Sequence, residues 1–212
     1  SLEVIDPRLD LNNSANWNSS IRYNGTPGGG VGQAPTVVIN EVLAHSDAPL
    51  EDAIELHNLA QAPVDLGGWF LSDSVNNLRK YGIPGGTTIE PGGYLVFYEK
   101  AFLLDNGGSG FSLSSVRGDE VWLTEADADG ALVRFADKVD FGPSANGVSL
   151  GRFPNGTGPL VAQDDLSLGS PVRVGQDAAL LASFRDGRGA PNTGPRIGPV
   201  VISEILYAPT EG

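Results

Sequence analysis

The stretch "LVRFADKVDFG", residues 132–142, limits the choice of fold more than any other. Val133, Phe135, Val139 and Phe141 fall on one parity; Arg134, Ala136, Lys138 and Asp140 fall on the other. A period of two marks a strand with one face in a core and the other toward water. Asp137 is the single polar residue on the apolar parity. Upstream, "DEVWLTEADADGAL" alternates through Val121 and Leu123 and then meets Asp127–Gly130. An Asp-Gly step between two alternating runs predicts a tight hairpin. Asp119–Thr124 and Leu132–Val139 are therefore expected to pair.

The same pattern recurs along the chain. "TVVINEVLA", "DAIELHN", "GWFLSD", "GGYLVFYE" and "NGVSLGRF" add five short strands, giving seven between Thr36 and Phe153. The 29 Gly and 15 Pro punctuate the chain too densely for long helices. One helical turn near Phe102 is the exception. Seven short strands over about a hundred residues predict an all-β fold, an immunoglobulin-like antiparallel β-sandwich with extended flanking segments.

Charge narrows the partners. With 13 Lys and Arg against 26 Asp and Glu, the net charge is −13, which repels phosphate backbones and anionic lipid. Nucleic acid is excluded as a partner class, and no apolar run is long enough to span a membrane. The absence of cysteine removes disulfides, thiolate metal sites and cysteine nucleophiles together. No starting Met or signal peptide is present, so the chain reads as a piece of a longer one.

Internal echoes organise the flanks. "VVINEVL" at Val37–Leu43 returns as "VVISEIL" at Val200–Leu206, and "SLEVIDP" at Ser1–Pro7 is answered by "SLGRFPN" at Ser149–Asn155. "NGTPGGG…APTVVINE" similarly matches "RGAPNTGPRIGPVVISE". Ordered matches at consistent positions predict a tandem array. Residues 1–35 are then the last strand and tail of a preceding repeat plus a linker, and 36–155 the full domain. Residues 156–199 are an inter-repeat linker with an insertion, and 200–212 the first strand of a following repeat.

A family resemblance rests on "INEVLAHSDAPLEDAIELHN", "GGWFLSDS", "YGIPGGTTIEPGGYLVFYE" and "FSLSSVRGDEVWL", in that order. Together they resemble the lamin-tail domain as found in bacterial secreted and surface proteins, over roughly Val37–Pro154. The resemblance implies an immunoglobulin-like sandwich without a catalytic centre, at an extracellular or cell-surface location. The chain lacks a coiled coil, so a nuclear-filament role is not implied.

Candidate chemistry is sparse. Glu41 and Glu55 lie on strands expected to be close, Asp52 sits in the loop between them and Asp73 at a later strand end. Loop carboxylates beside strand ends are the oxygen donors that Ca²⁺ takes, which makes these four a candidate calcium site, although no ordered ligand spacing supports it. Otherwise no cofactor is expected. "DADG" at Asp127–Gly130 lacks the ligands of a calcium loop and reads as a solvated turn. His45 and His57 lack zinc-site spacing. No nucleophile elbow or dinucleotide loop occurs, so catalysis is not expected. "RGD" at Arg117–Asp119 reads as a strand-entry turn. Asn12, Asn18, Asn24 and Asn155 head sequons and are expected on exposed loops.

Trp69 is expected to anchor the core. Trp122 should face outward or meet a neighbouring module, and Trp17 needs a surface to cover it. Inter-module packing, or stacking on carbohydrate, would use both. The expected contacts with neighbouring copies are Leu2 and Val4 at one end and Val200, Val201, Ile202, Glu204, Ile205 and Leu206 at the other. The function expected from these features is a structural or assembly module of a large extracellular bacterial protein, joined head to tail into a fibre or matrix. A calcium- or carbohydrate-binding accessory module of a secreted enzyme is the alternative.

Overall fold

A computed structural model of the chain describes residues 2–25, 36–48, 50–103, 110–168 and 189–198. In chain order the strands begin with β1 (Leu2–Val4), β2 (Trp17–Ser19), β3 (Val37–Leu43), β4 (Ala53–Asn58), β5 (Val64–Asp65), β6 (Phe70–Ser72), β7 (Tyr81–Gly82) and β8 (Thr88–Ile89). Then come β9 (Tyr94–Tyr98), the helical turn α1 (Glu99–Leu103), β10 (Asp119–Ala126), β11 (Leu132–Phe141), β12 (Leu150–Arg152) and β13 (Leu160–Ala162). A five-stranded sheet runs β13-β12-β3-β4-β9, and a four-stranded sheet runs β11-β10-β6-β7. Every pairing is antiparallel. The fold is the expected immunoglobulin-like sandwich.

Alternation builds the core between the two sheets. Ile39, Val42, Ile54 and Leu56 from one side meet Leu71, Val121 and Leu123 from the other, all buried. Trp69 anchors this cluster at 6% exposure, as its position after Gly67 and Gly68 suggested. Phe102 on α1 is fully buried and stacks on Phe111 with ring centroids 4.7 Å apart.

The β10–β11 hairpin forms around Asp127, whose Oδ1 accepts the amides of Asp129 and Ala131. Gly130 closes the turn at φ +77°. One expectation fails on this hairpin. Strict alternation placed Phe135 on the core face and Ala136 on the solvent face. Register instead passes from Leu123↔Asp137 to Thr124↔Phe135, leaving Ala136 as an extra residue. The bulge reverses the faces, so that Ala136 is fully buried in the core and Phe135 turns out beside Trp122, centroids 5.5 Å apart. Asp137 stays on the inner parity, where it accepts the Ile39 amide at 2.7 Å and pairs with Arg152 at 2.9 Å.

The sheet continues past Asn155, where β13 supplies the outer strand of the five-stranded layer from a stretch read as linker. "PLVAQ" is too short and too close to Pro159 for alternation to reveal it.

Described segments of both flanks lie along sheet edges. Tyr23 donates to the Val133 carbonyl at 3.0 Å and Phe135 donates to the Ile21 carbonyl at 2.7 Å, so residues 21–23 extend the four-stranded sheet beyond β11. At the other end Pro195 bridges Gln163, and the amides of Asp164 and Arg196 bond the carbonyls of Gly194 and Ala162. An unpaired edge is a template for aggregation, and here the chain's own flanks cover two of them.

Candidate functional site

The second bulge creates the site. On unbroken alternation Glu41 would share a face with Val37 and Ile39, inside the core. Register runs Ile39↔Leu56 and then Glu41↔Glu55, leaving Asn40 extra. Val42 therefore replaces Glu41 in the core, and Glu41 turns to the outer face of the five-stranded sheet. Glu55, its cross-strand partner, points the same way. This outer face is not open to water. Leu166 and Leu168 pack there on Leu43, Ala53 and Val96, and residues 189–194 complete the cover. Glu41 and Glu55 are both fully buried.

Each carboxyl oxygen has a donor. Ser149 and Ser167 hydroxyls donate to Glu41 Oε1 and Oε2 respectively, and the Ser167 amide adds a bond to Oε1 at 3.3 Å. Glu55 Oε1 accepts the Asn40 side-chain amide at 2.7 Å, and Oε2 accepts the Ala190 amide at 3.2 Å. Asn192 spans the network, its Nδ2 donating to the carbonyls of Asn40 and Arg152 while its own amide donates to Asn155 Oδ1. Gln163 is likewise buried, and its Oε1 accepts the Gly194 amide at 2.9 Å.

Two glycines permit this closeness. A Cβ on Gly189 would overlap the Glu55 carboxyl, and one on Gly151 would lie 2.7 Å from Asn192 Nδ2. A side chain at either place would displace the Glu55 or Asn192 group that bonds the covering segment.

Two carboxylates side by side and out of water cannot both be charged cheaply. Burial, and after it the neighbouring Glu41 charge, push Glu55 well above its usual range. Burial also raises Glu41, against the hydrogen bonds from Ser149 and Ser167. Glu41 has three donors to stabilise an anion and Glu55 has two, which places the first proton on Glu55.

The four carboxylates named as calcium ligands do not converge. Glu41 and Glu55 come together, but Asp52 accepts the Ser46 hydroxyl at 2.7 Å and Asp73 pairs with Lys80 beyond β6, on the other sheet. Among the described residues no group of three or more acidic or histidine side chains could hold a metal ion. His57 is satisfied by the Gly93 carbonyl and stacks on Tyr94 at 4.1 Å. His45 bonds the Ser144 carbonyl.

Of the expected contact residues, Leu2 is 67% exposed on β1 and Val4 half-buried. Trp17 is 37% exposed, its indole N–H bonded to the Leu11 carbonyl. Trp122 does face outward, half-buried, with the Lys138 ammonium 4.8 Å from its ring centre. It lines a cleft of about 510 Å³ with Phe135, Lys138 and residues 19–21 of the incoming flank. Val200, Val201, Ile202, Glu204, Ile205 and Leu206 lie outside the described residues.

Asn40, Ser149, Ser167, Asn192 and Gly189 were not singled out from sequence as site residues. Asn155, expected on an exposed loop, is instead half-buried in the network with its Nδ2 on the Tyr94 hydroxyl. The one available signal was the echo of "RGAPNTGP" with "NGTPGGG", which marks this joint as part of a unit and not as free linker.

The family model of the lamin tail domain matches residues 31–141, which take in the Glu41–Glu55 strands and the β10–β11 hairpin. Searches of curated proteins and of solved structures returned no match. The lamin tail domain is an immunoglobulin-like structural module, in keeping with the two-sheet sandwich and its order of motifs. The chain belongs to the lamin tail domain family.

Proposed function

We propose that this domain is a non-catalytic spacer and assembly unit of a large extracellular protein, coupled to neighbouring copies through strands laid along its sheet edges. The observation that carries this reading is the pairing of residues 21–23 with β11. The hairpin before them supports it. β1 pairs with β2 through Leu2↔Ser19 much as β12 pairs with β13 through Leu150↔Ala162, and the two hairpins begin with the matching "SLEVIDP" and "SLGRFPN". The incoming hairpin thus has the form of another unit's last hairpin, and its tail extends the sheet of this one. Backbone pairing across a joint couples successive beads more firmly than a free linker does. A head-to-tail contact of this kind propagates instead of closing, in cis along one chain or in trans between chains. The echo at Val200–Leu206 is the sequence that would begin the next copy.

Tyr23→Pro tests the joint, because proline removes the amide that bonds Val133. The Phe135 amide is expected to exchange with solvent about tenfold faster or more, while the sandwich core keeps its protection. X-ray scattering should register a larger radius of gyration. Unchanged exchange at Phe135 and unchanged scattering would mean that the flank is not held by this pairing, and the coupled-bead reading would fail.

The cleft beside Trp122 favours a second reading, a carbohydrate-binding accessory module. Its aromatic side chains Trp122 and Phe135, with the exposed Ser19 beside them, have the chemistry that stacks on and hydrogen-bonds a sugar ring. Quenching of tryptophan fluorescence by an oligosaccharide would favour it, and no change across a panel of neutral and acidic glycans would remove it.

A further inference from the structure

The cover over Glu41 and Glu55 is cohesive in itself. Its two halves, residues 163–168 and 189–194, bond each other. The Ala190 amide donates to the Ser167 carbonyl and the Asp164 amide to the Gly194 carbonyl, both at 3.0 Å. The Thr193 hydroxyl donates to the Asp165 carbonyl and the Gly194 amide to Gln163 Oε1, both at 2.9 Å. Its seat on the five-stranded sheet is of two kinds. Leu166 and Leu168 pack on Leu43, Ala53 and Val96, while polar bonds run to the two carboxyls and to Asn40, Arg152 and Asn155. The carboxyl pair thus lies under the cover and helps to hold it down.

The charges around the pair offer nothing to neutralise a second ionisation. On β12 the Arg152 guanidinium bonds the Ile39 and Gly158 carbonyls and pairs with Asp137 of β11. On β4 His57 lies two residues beyond Glu55, its Nδ1 at the Gly93 carbonyl. On β9 the Tyr94 hydroxyl accepts the Asn155 side-chain amide, and burial raises its pKa from 10.0, which keeps it neutral. The cover itself brings Asp164 and Asp165, both acidic, and residues 189–194 carry no titratable side chain. Among the described residues no cation forms an ion pair with Glu41 or Glu55.

We propose that the cover is a pH-sensitive latch, seated while the Glu41–Glu55 pair holds a proton and lifted when both carboxyls ionise, with the two-sheet core intact. One negative charge is met by the donors of Ser149 and Ser167. A second, at the cross-strand position, has no cation to answer it, and two like charges out of water are relieved only when water enters. Water reaches them by way of the cover, because the opposite face of the same sheet is the sandwich core. Burial raises both folded values, so the seated state gains from acid and loses that gain as pH rises through them. Opening one segment costs less free energy than unfolding the domain. The lifted cover exposes Leu43, Ala53 and Val96. The inference does not depend on the array reading, because the cover and the pair belong to one module.

Cysteine probes test the latch without interference, since the chain has no cysteine of its own. Ala53→Cys puts a thiol under the cover, and Ala136→Cys puts one between the sheets. Alkylation by iodoacetamide is read as the rate in the folded chain divided by the rate in urea at the same pH, which cancels the ordinary ionisation of the thiol. From about pH 5 to about pH 9 this ratio is expected to rise about tenfold or more for Ala53→Cys and to stay level for Ala136→Cys. Adding Glu41→Gln and Glu55→Gln, which keep the shape and cannot ionise, should hold the Ala53→Cys ratio flat. Circular dichroism confirms that each variant is folded, and Leu168→Cys, on the cover itself, gives the same reading should Ala53→Cys not fold. A ratio for the probe under the cover that is equal at the two pH values overturns the proposal. So does a parallel rise for Ala136→Cys, which would mean that the whole domain opens. A rise that persists in the double-glutamine background also overturns it, by assigning the effect to other acids. None of these outcomes bears on Tyr23→Pro, which reports the incoming flank alone.

Discussion

Glu41→Ala is expected to destabilise the domain by about 3 kcal/mol and to free the segment that covers the five-stranded sheet. The substitution strands two buried donors, the Ser149 hydroxyl and the Ser167 amide, and leaves the Ser167 hydroxyl only Asn192 Oδ1 at 3.2 Å. Each unsatisfied group costs about 1–3 kcal/mol in the interior. Two gains offset part of this, because a desolvated carboxyl is removed and Glu55 loses a like-charged neighbour. Glu41→Gln keeps the shape and one acceptor oxygen, so it should be about 2 kcal/mol more stable than Glu41→Ala. Both variants lack the charge, and the difference between them isolates the stranded donors. Urea unfolding gives the two free energies, and exchange of the Ala190 amide follows the release of the cover. Equal stabilities for the two variants would mean that water replaces Glu41 without cost and that the network is not what holds the tail.

The second large effect is on pH, and its sign is opposite to the usual one for carboxylates. Folding raises both Glu41 and Glu55 above their ordinary value of 4.5, by burial first in each case. The folded state then holds protons that the unfolded state has released. Stability from this pair is fully present below about pH 4.5 and falls as pH rises through the folded values. Burial raises Asp52, Asp137 and Glu99 as well, in the same direction. Asp6 and Glu120 are lowered and oppose it, but both are close to solvent and count for little. The unfolding free energy is therefore expected to decline from mildly acidic to mildly alkaline pH. The Glu41→Gln, Glu55→Gln double variant should flatten most of that slope. Stability that climbs steadily to pH 8 in the wild type would show that the pair is hydrated and charged in the fold.

The two hairpin partners β10 and β11 were legible in sequence because their signals are local. Alternation of period two assigns a strand within a few residues, and Asp127 to Gly130 carries its own turn chemistry. Trp69 was legible as a core anchor for a related reason, since a large apolar ring next to two glycines at a strand start has few other uses. Glu41 and Glu55 were correctly placed on neighbouring strands, yet their surroundings were not foreseeable. Their fate depends on Asn40, a single extra residue in β3 that only pairing with β4 reveals. Phe135 and Ala136 changed faces for the same reason on β11. A bulge is a property of two strands together, and one strand's pattern does not record it.

The sequence by itself determined the class of fold, the positions of the main strands, the repeat echoes and an acidic, cysteine-free surface. These follow from side-chain period, turn residues and charge, which act over short stretches or as simple sums. Tertiary structure alone decided that Ser167, Asn192, Asn40 and Glu55 would close over Glu41. Ser167 lies 126 positions from Glu41, and Asn192 lies 152 from Asn40. Contacts at that separation come from the whole chain's packing, where burial turned two ordinary glutamates into a proton-holding pair.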